Sequence, residues 1–349
     1  MAVSEPSRPA SSGPAPKDRP TFADEVAFLR DEAWPGEEVE VVETHLSCVF
    51  LTADRAHKLK RPVVQPYLDH RRLSARLADC RNEVSLNQAL APGVYLGLES
   101  LTVDDAGRLH VGGDGTVVDW MVVMRRLDRD ELLDRRIVTG TATAAEIDPV
   151  VEMLAGFYKA QRPQPTTPGE YRDTLTAMLA QDVDELTSRE FGLVDDLAHG
   201  LGAPLAEAID TAAGLDRRAG RLVDGHGDLR PEHVRSGPEP LVIDRLSFSA
   251  SLRRVDPYHD LALLAVECEY LGAPALGDHV LSTYRSRSGD VVDDDVLSLY
   301  RALRALTQAR LSVSHLRDHV EDPQRWLRRG DAYLNIARRH LAALPAASP

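Results

Sequence analysis

The chain has 349 residues, 43% of them hydrophobic and 28% charged, and its 55 acidic against 41 basic side chains give a net charge of −14. That composition is ordinary for a globular protein of two domains or one bilobal domain, and the acidic balance argues against a nucleic-acid partner, which needs a basic stripe over its phosphates. No run approaches the roughly 18 apolar residues of a membrane span, and Cys48, Cys80 and Cys268, far apart and without a CxxC pair, exclude a metal quartet and fit a reducing cytoplasm.

Residues 1–20, MAVSEPSRPASSGPAPKDRP, are rich in Pro, Ser and Ala and lack the apolar core of a secretory signal, so a disordered tail is predicted. A sheet-rich segment follows. Residues 39–51 and 55–63 read as β runs around a turn at Thr52, Ala53 and Asp54. From about Arg71 to Leu90, the helical spacing of Leu73, Leu77, Cys80 and Val84 predicts a helix. LESLTVDDAGRLHV and TVVDWMVVMRRL supply further strands, the second apolar enough to be buried on both faces.

Beyond Leu127 the pattern turns helical, beginning with DPVVEMLAGFYKAQ, which places Pro149 near a first turn. Helices are predicted to about Ala213 and again from Asp260 to Leu344, with residues 226–244 as the one clear strand-and-turn island between them. The domains expected are thus a small mixed lobe over 21–127 and a helical lobe over 128–349, joined near Met124 to Leu127.

Within the island, Asp228 sits in a turn beside a glycine, where a carboxylate can take the proton of an attacking hydroxyl. Asp244 follows the apolar run LeuValIle, a strand that would deliver a metal-binding carboxylate to the edge of a cleft. Phosphoryl transfer also needs a cation on the donor phosphates. Lys58 and Lys60 alternate onto one face of their strand, and Glu83 on the next helix is placed to pair with one of them.

HGDLRPEHV (226–234) resembles the HGDLHxxN motif of aminoglycoside phosphotransferases and other small-molecule kinases with the protein-kinase-like fold, and LVIDRLSF resembles their metal-binding segment. ETHLSCVFLTADRAHKLKRPV, NEVSLNQALAPGVYLG and VIDRLSFSASLRRVDPYHDLALL are similar to the uncharacterised phosphotransferase-like domain often fused to a P-loop ATP-binding domain. The resemblance runs over residues 40–310 or so. It implies an α+β, protein-kinase-like bilobal fold, with a small antiparallel-sheet lobe carrying one helix and a larger helical lobe. It also implies a kinase using ATP or GTP with Mg²⁺, or Mn²⁺ in its place, on the hydroxyl of a small molecule such as an amino sugar.

Residue by residue, the resemblance makes Asp228 the catalytic base, Asp244 a metal ligand and Lys58 the contact to the donor phosphates, with Lys60 as second choice. Glu83 holds that lysine, and Met124, Arg125 and Leu127 form a hinge offering backbone groups to the purine. Two departures stand out: His233 replaces a metal-binding asparagine, and ThrHisLeuSerCys replaces a glycine-rich phosphate loop. No GxxxxGK[ST] occurs in the chain, which leaves room for a separate ATP-binding partner protein. The short stretch from Asp244 to Asp260 has no space for the activation loop that holds peptide substrates.

Two other functions use the same residues. A pseudokinase, binding nucleotide or a partner without turnover, would account for His233. A metal-dependent hydrolase would gather His226, His233, Asp228 and Asp244 on one ion. Plain structural roles compete as well: His226 as a hydrogen-bonded strut, Asp260 as a helix N-cap, one of Lys58 and Lys60 as a solvated strand position, and His315 with His319 as surface packing; the resemblance implies that Asp260 also buttresses the catalytic loop, which is compatible with capping.

Overall fold

The computed structural model describes residues 19–65, 67–188, 195–317 and 322–345, with only the backbone of 195–199. The expected tail lies outside the described residues except for its end, where Arg19 donates to the Val118 carbonyl at 2.6 Å. The chain forms two compact units, the first containing the chain up to Val84 and Tyr95–Arg126, the second Ser85–Val94 and everything from Leu127 onward.

The first unit starts with α1 (Phe22–Asp31), capped by Thr21 and Asp24 in a reciprocal capping box. The β run expected over 39–51 is divided by a turn into β1 (Glu40–Glu43) and β2 (Ser47–Leu51), and the turn closes through Thr44 N–H to the Ser47 carbonyl at 2.8 Å. Next come β3 (Arg55–Lys60), the two-residue strands β4 (Val64–Gln65) and β5 (Leu68–Asp69), α2 (Leu73–Asn87), β6 (Tyr95–Val103), β7 (Leu109–Val111) and β8 (Thr116–Arg125). An antiparallel sheet runs in the order β1-β2-β3-β8-β6-β7. Leu29 of α1 packs with Cys48, Phe50, Leu59, Leu101 and Met121 on one face of it. On α2, Arg76 grips both oxygens of the fully buried Asp119 on β8 through Nε at 3.0 and 2.9 Å, which fixes the rotation of that helix.

The second unit is built from helices: α3 (Leu133–Val138), α4 (Ala144–Ala160), α5 (Pro168–Leu186), α6 (Asp195–Thr211) and α7 (Gly214–Arg218) precede the island. Pro149 lies in the second turn of α4, because the helix begins earlier than its apolar period suggested, at a Thr143–Glu146 capping box. The island contains β9 (Val223–Asp224), a 3-10 turn over Pro231–His233, β10 (Val234–Arg235) and β11 (Leu241–Val242). It extends further than expected, since β12 (Arg254–Val255), after the short α8 (Ala250–Arg253), returns to pair with β9. Then follow α9 (Pro257–Tyr270), α10 (Pro274–Ser288), α11 (Asp294–Ser314) and α12 (Pro323–Ala342). The all-round burial of α9 from Pro257 to Cys268 makes it the axis of this core. His315 stacks on Trp326 with ring centroids 3.7 Å apart, whereas His319 lies outside the described residues.

One core group couples this fold to pH. Glu267 on α9 is buried, and the Tyr333 hydroxyl donates to both its oxygens at 2.8 Å. Burial, then the Glu232 charge, pushes its carboxyl up to about 7, against the pull of Arg230 and Arg329. Between the ordinary value of 4.5 and about 7, the native state keeps a proton that the unfolded chain releases. This contribution is full below that window and is lost as pH rises through it. Glu267→Gln is expected to remove a slope of up to about 1.4 kcal/mol per pH unit. Urea unfolding of both proteins across the window checks this, and parallel pH profiles would contradict it.

Candidate active site

In the first unit β3 and α2 bring four charged side chains together. Lys58 Nζ donates to Glu83 Oε1 at 2.9 Å, while Lys60 Nζ pairs with Glu83 Oε2 and lies 3.0 Å from Asp79 Oδ2. His70 Nε2 approaches the same Asp79 oxygen at 3.1 Å. Neither lysine is a solvated strand position, because Glu83 is itself buried and holds both. Burial pulls the Lys60 ammonium down, but the Glu83 and Asp79 carboxylates more than offset it and hold it above its usual value. Lys58 is the more accessible of the two, at 12% against 5% side-chain exposure. Asp79 and His70 were not picked out from the sequence. Asp79 had a signal, since it precedes Glu83 by one helical turn and shares its face.

The end of β8 carries the expected hinge residues Met124 and Arg125, which pair with Ala56 and Arg55 of β3. Arg126 N–H is bonded to the Asp54 carbonyl at 2.9 Å, and Leu127 begins the second unit's main segment.

In the second unit, residues 224–246 are folded as a hydrogen-bonded loop around three sequence-predicted residues, Asp228, His233 and Asp244. His226 is a strut. It is fully buried, its Nε2 donates to the Ile243 carbonyl at 2.9 Å and its Nδ1 accepts from Asp228 N–H at 3.3 Å. With both nitrogens engaged, His226 has no lone pair left for the ion that a hydrolase would require.

His233 Nδ1–H donates to the Asp228 carbonyl at 2.9 Å, and its Nε2 faces Asp244 Oδ2 at 3.7 Å. The two side chains thus face one another, and no group of three candidate metal ligands gathers among the described residues. Asp244 has φ +59°, the one positive value outside glycine among the described residues. Such strain persists only where neighbours over-determine it. They do so here: Ile243 N–H bonds to the His233 carbonyl at 2.9 Å, and Arg245 N–H to Asn87 Oδ1 at 2.9 Å.

Asp228 is about a third exposed, with Arg230 Nε 3.2 Å from its Oδ1. Burial raises its carboxyl, but Arg230, then His233 and His226, outweigh that and keep it below the usual carboxylate value. It is therefore ionised, as a proton acceptor must be.

Asp260 is not the N-cap of α9. That position belongs to Asp256, which accepts from Tyr258 N–H at 2.9 Å and precedes Pro257. Asp260 sits one turn further in and supports the loop from beneath. It accepts from His226 N–H at 2.6 Å, Gly227 N–H at 3.0 Å and the Tyr158 hydroxyl at 2.9 Å. Gly225 has to be glycine here, because a Cβ would stand 2.8 Å from Asp260 Oδ2 and 2.4 Å from Val255.

No family model matches the chain. Uncharacterised proteins of Mycobacterium tuberculosis and Mycobacterium bovis are 32% identical to it over 288 residues, 78% of this chain and 54% of theirs. The chain thus spans about half the length of the curated relatives it matches. Among solved structures, a choline/ethanolamine kinase family protein from Mesorhizobium loti aligns with a TM-score of 0.51 at 17% identity, covering 93% of this chain and 99% of that one. A choline kinase from Cryptosporidium parvum Iowa II gives 0.51 at 12% identity, with 92% and 95% covered. Identities this low speak to architecture alone, and on that point they agree with the antiparallel sheet and the helical unit described above: the chain has the protein-kinase-like fold.

Proposed function

We propose that the chain transfers the terminal phosphoryl group of ATP or GTP to a hydroxyl of a small molecule. The observation that carries this reading is the loop of the second unit, where Asp228 is ionised beside Arg230 and His233 Nε2 faces the strained Asp244. Asp228 would orient the acceptor hydroxyl and take its proton. Lys58, held by Glu83 and the more exposed of the two lysines, would neutralise charge on the donor phosphates.

Asp244 and His233 would hold the divalent cation, which when bound neutralises the phosphate charge. Mg²⁺ asks for only one or two protein carboxylates beside phosphates and water, which Asp244 would supply, while the His233 nitrogen is a softer donor than Mg²⁺ prefers. The imidazole favours Mn²⁺ as the alternative. Residues 245–255 fold back as α8 and β12, with Gly225 N–H bonded to the Arg253 carbonyl at 2.8 Å. No long loop is left there to hold a peptide, which favours a small hydroxylated acceptor, an amino sugar among them. Three free, buried cysteines and the lack, among the described residues, of any helix long and apolar enough to cross a membrane accord with a cytoplasmic site of action.

Thermal unfolding with ATP or GTP, each with Mg²⁺ or Mn²⁺, tests the proposal. A ligand at 100 times its dissociation constant adds about 2.7 kcal/mol, which raises the midpoint by a few degrees or more in a chain of this size. The expected result is a shift that requires metal, larger with Mn²⁺ in the wild type and moved toward Mg²⁺ by His233→Asn. A shift with metal alone and none with nucleotide would refute the kinase. Metal-dependent stabilisation without turnover would favour the second reading, a pseudokinase, or the need for a separate ATP-binding partner; His233 is what motivates the former.

A further inference from the structure

Successive residues of a strand face opposite ways. Lys58 and Lys60 of β3 reach Glu83 on one face of the sheet, so His57 and Leu59 stand on the other, where Leu59 packs with Leu29 of α1. Beside that core lies a hollow of about 430 Å³. His57, paired with Val123 of β8, and Gly97 of β6, paired with the same Val123, form its floor. The register of β6 slips between Tyr95 and Gly97. Bulges of this kind re-aim side chains; this one leaves Leu96 51% exposed and open space above Gly97, where a Cβ would meet nothing within 4 Å.

The floor contains an unanswered polar atom. His57 is 4% exposed, and its Nδ1 makes no hydrogen bond among the described residues. The facing Glu99 Oε2 is 3.6 Å away, too far for one. Burial, then the charge of Arg55, pushes His57 down to about 4, so at neutral pH the ring and Glu99 do not form an ion pair. An unmet buried nitrogen costs about 1–3 kcal/mol, which a bound donor would relieve. The Trp34 ring lies 4.4 Å from the imidazole. The lining sets three carboxylates, Glu37, Asp54 and Glu99, against the single cation Arg55, so it is negative on balance.

We propose that this hollow binds a small organic cation, a primary ammonium that donates to both His57 Nδ1 and Glu99 Oε2 while its carbon chain lies against Trp34. An ammonium has three donors, enough to meet two acceptors 3.6 Å apart, and an aromatic face adds a cation–π contribution. The volume falls within the range of roughly 300–1,000 Å³ typical of small-molecule sites. The carboxylates disfavour an anion. A transition metal would need a third protein ligand, and no group of three candidate ligands exists among the described residues. The site lies on the sheet face opposite Lys58, so it is independent of the phosphoryl-transfer reading.

Isothermal titration of the full chain with putrescine and agmatine, with butyrate as the anionic control, tests this. Amine binding is expected, weakened about tenfold or more by Glu99→Gln and by Trp34→Leu, and unchanged by Asp228→Asn. Glu99 is 38% exposed, so Glu99→Gln is expected to keep the wild-type melting temperature. Three results would each overturn the proposal: no amine binding up to about 10 mM, binding that survives both variants, or binding lost in Asp228→Asn, which would move the amine to the loop of the second unit.

Discussion

Asp228→Asn is expected to lower the rate of phosphoryl transfer by about a hundredfold to ten-thousandfold, the range a positioned general base supplies, while nucleotide affinity stays near that of the wild type. The loop does not depend on this carboxylate for its shape. Its backbone at position 228 is held by His226 Nδ1 on the N–H side and His233 Nδ1 on the carbonyl side, and neither contact uses the side chain. The change therefore removes charge and proton affinity from a group kept ionised by Arg230 and little else. Steady-state kinetics with an accepted small hydroxyl compound should show kcat falling and the KM for nucleotide nearly constant, the signature of an interaction made in the transition state. A kcat within about threefold of wild type would remove Asp228 from the role of base. A fall in nucleotide affinity instead would mean that the carboxylate acts on the donor.

The pairing of charged side chains on β3 and α2 is legible in the sequence, and what is not has physical causes. Lys58 and Glu83 were legible because strand alternation and helical spacing are local rules, and Ala56-x-Lys58 adds a motif. The partition of the two lysines was not. That Lys60 is enclosed by Glu83 and Asp79, leaving Lys58 the more exposed, depends on the rotation of α2, which the long-range Arg76–Asp119 pair sets. The cap of α9 is legible in Asp256-Pro257, a strong start signal. Asp260, four residues on, satisfies the same composition rule but is used by the loop beneath which it sits. The left-handed backbone of Asp244 has no local signal at all: glycine announces such a conformation, and an aspartate there becomes visible only once His233, Ile243, Arg245 and Asn87 have been placed around it.

Replacing Asp260 separates the two roles by magnitude. Loss of a helix cap costs about 1 kcal/mol. Asp260→Ala instead strands two backbone N–H groups and the Tyr158 hydroxyl in a site with no solvent exposure. Each of these three unmet donors costs about 1–3 kcal/mol, so a loss of at least about 3 kcal/mol is expected, a large part of a typical stability of 5–15 kcal/mol. Urea unfolding should show a lower midpoint with an unchanged slope. Asp260→Asn keeps the volume but turns an amide donor toward an N–H that needs an acceptor, so it should fall between wild type and alanine; it also serves if the alanine variant does not fold. Because His226 and Gly227 lead directly into Asp228, both variants should lose kcat as well as stability. A loss near 1 kcal/mol with kcat intact would return Asp260 to the rank of an ordinary helix-end residue. A loss of stability with kcat preserved would show that the loop is held by Arg245 and Asn87 without help from below.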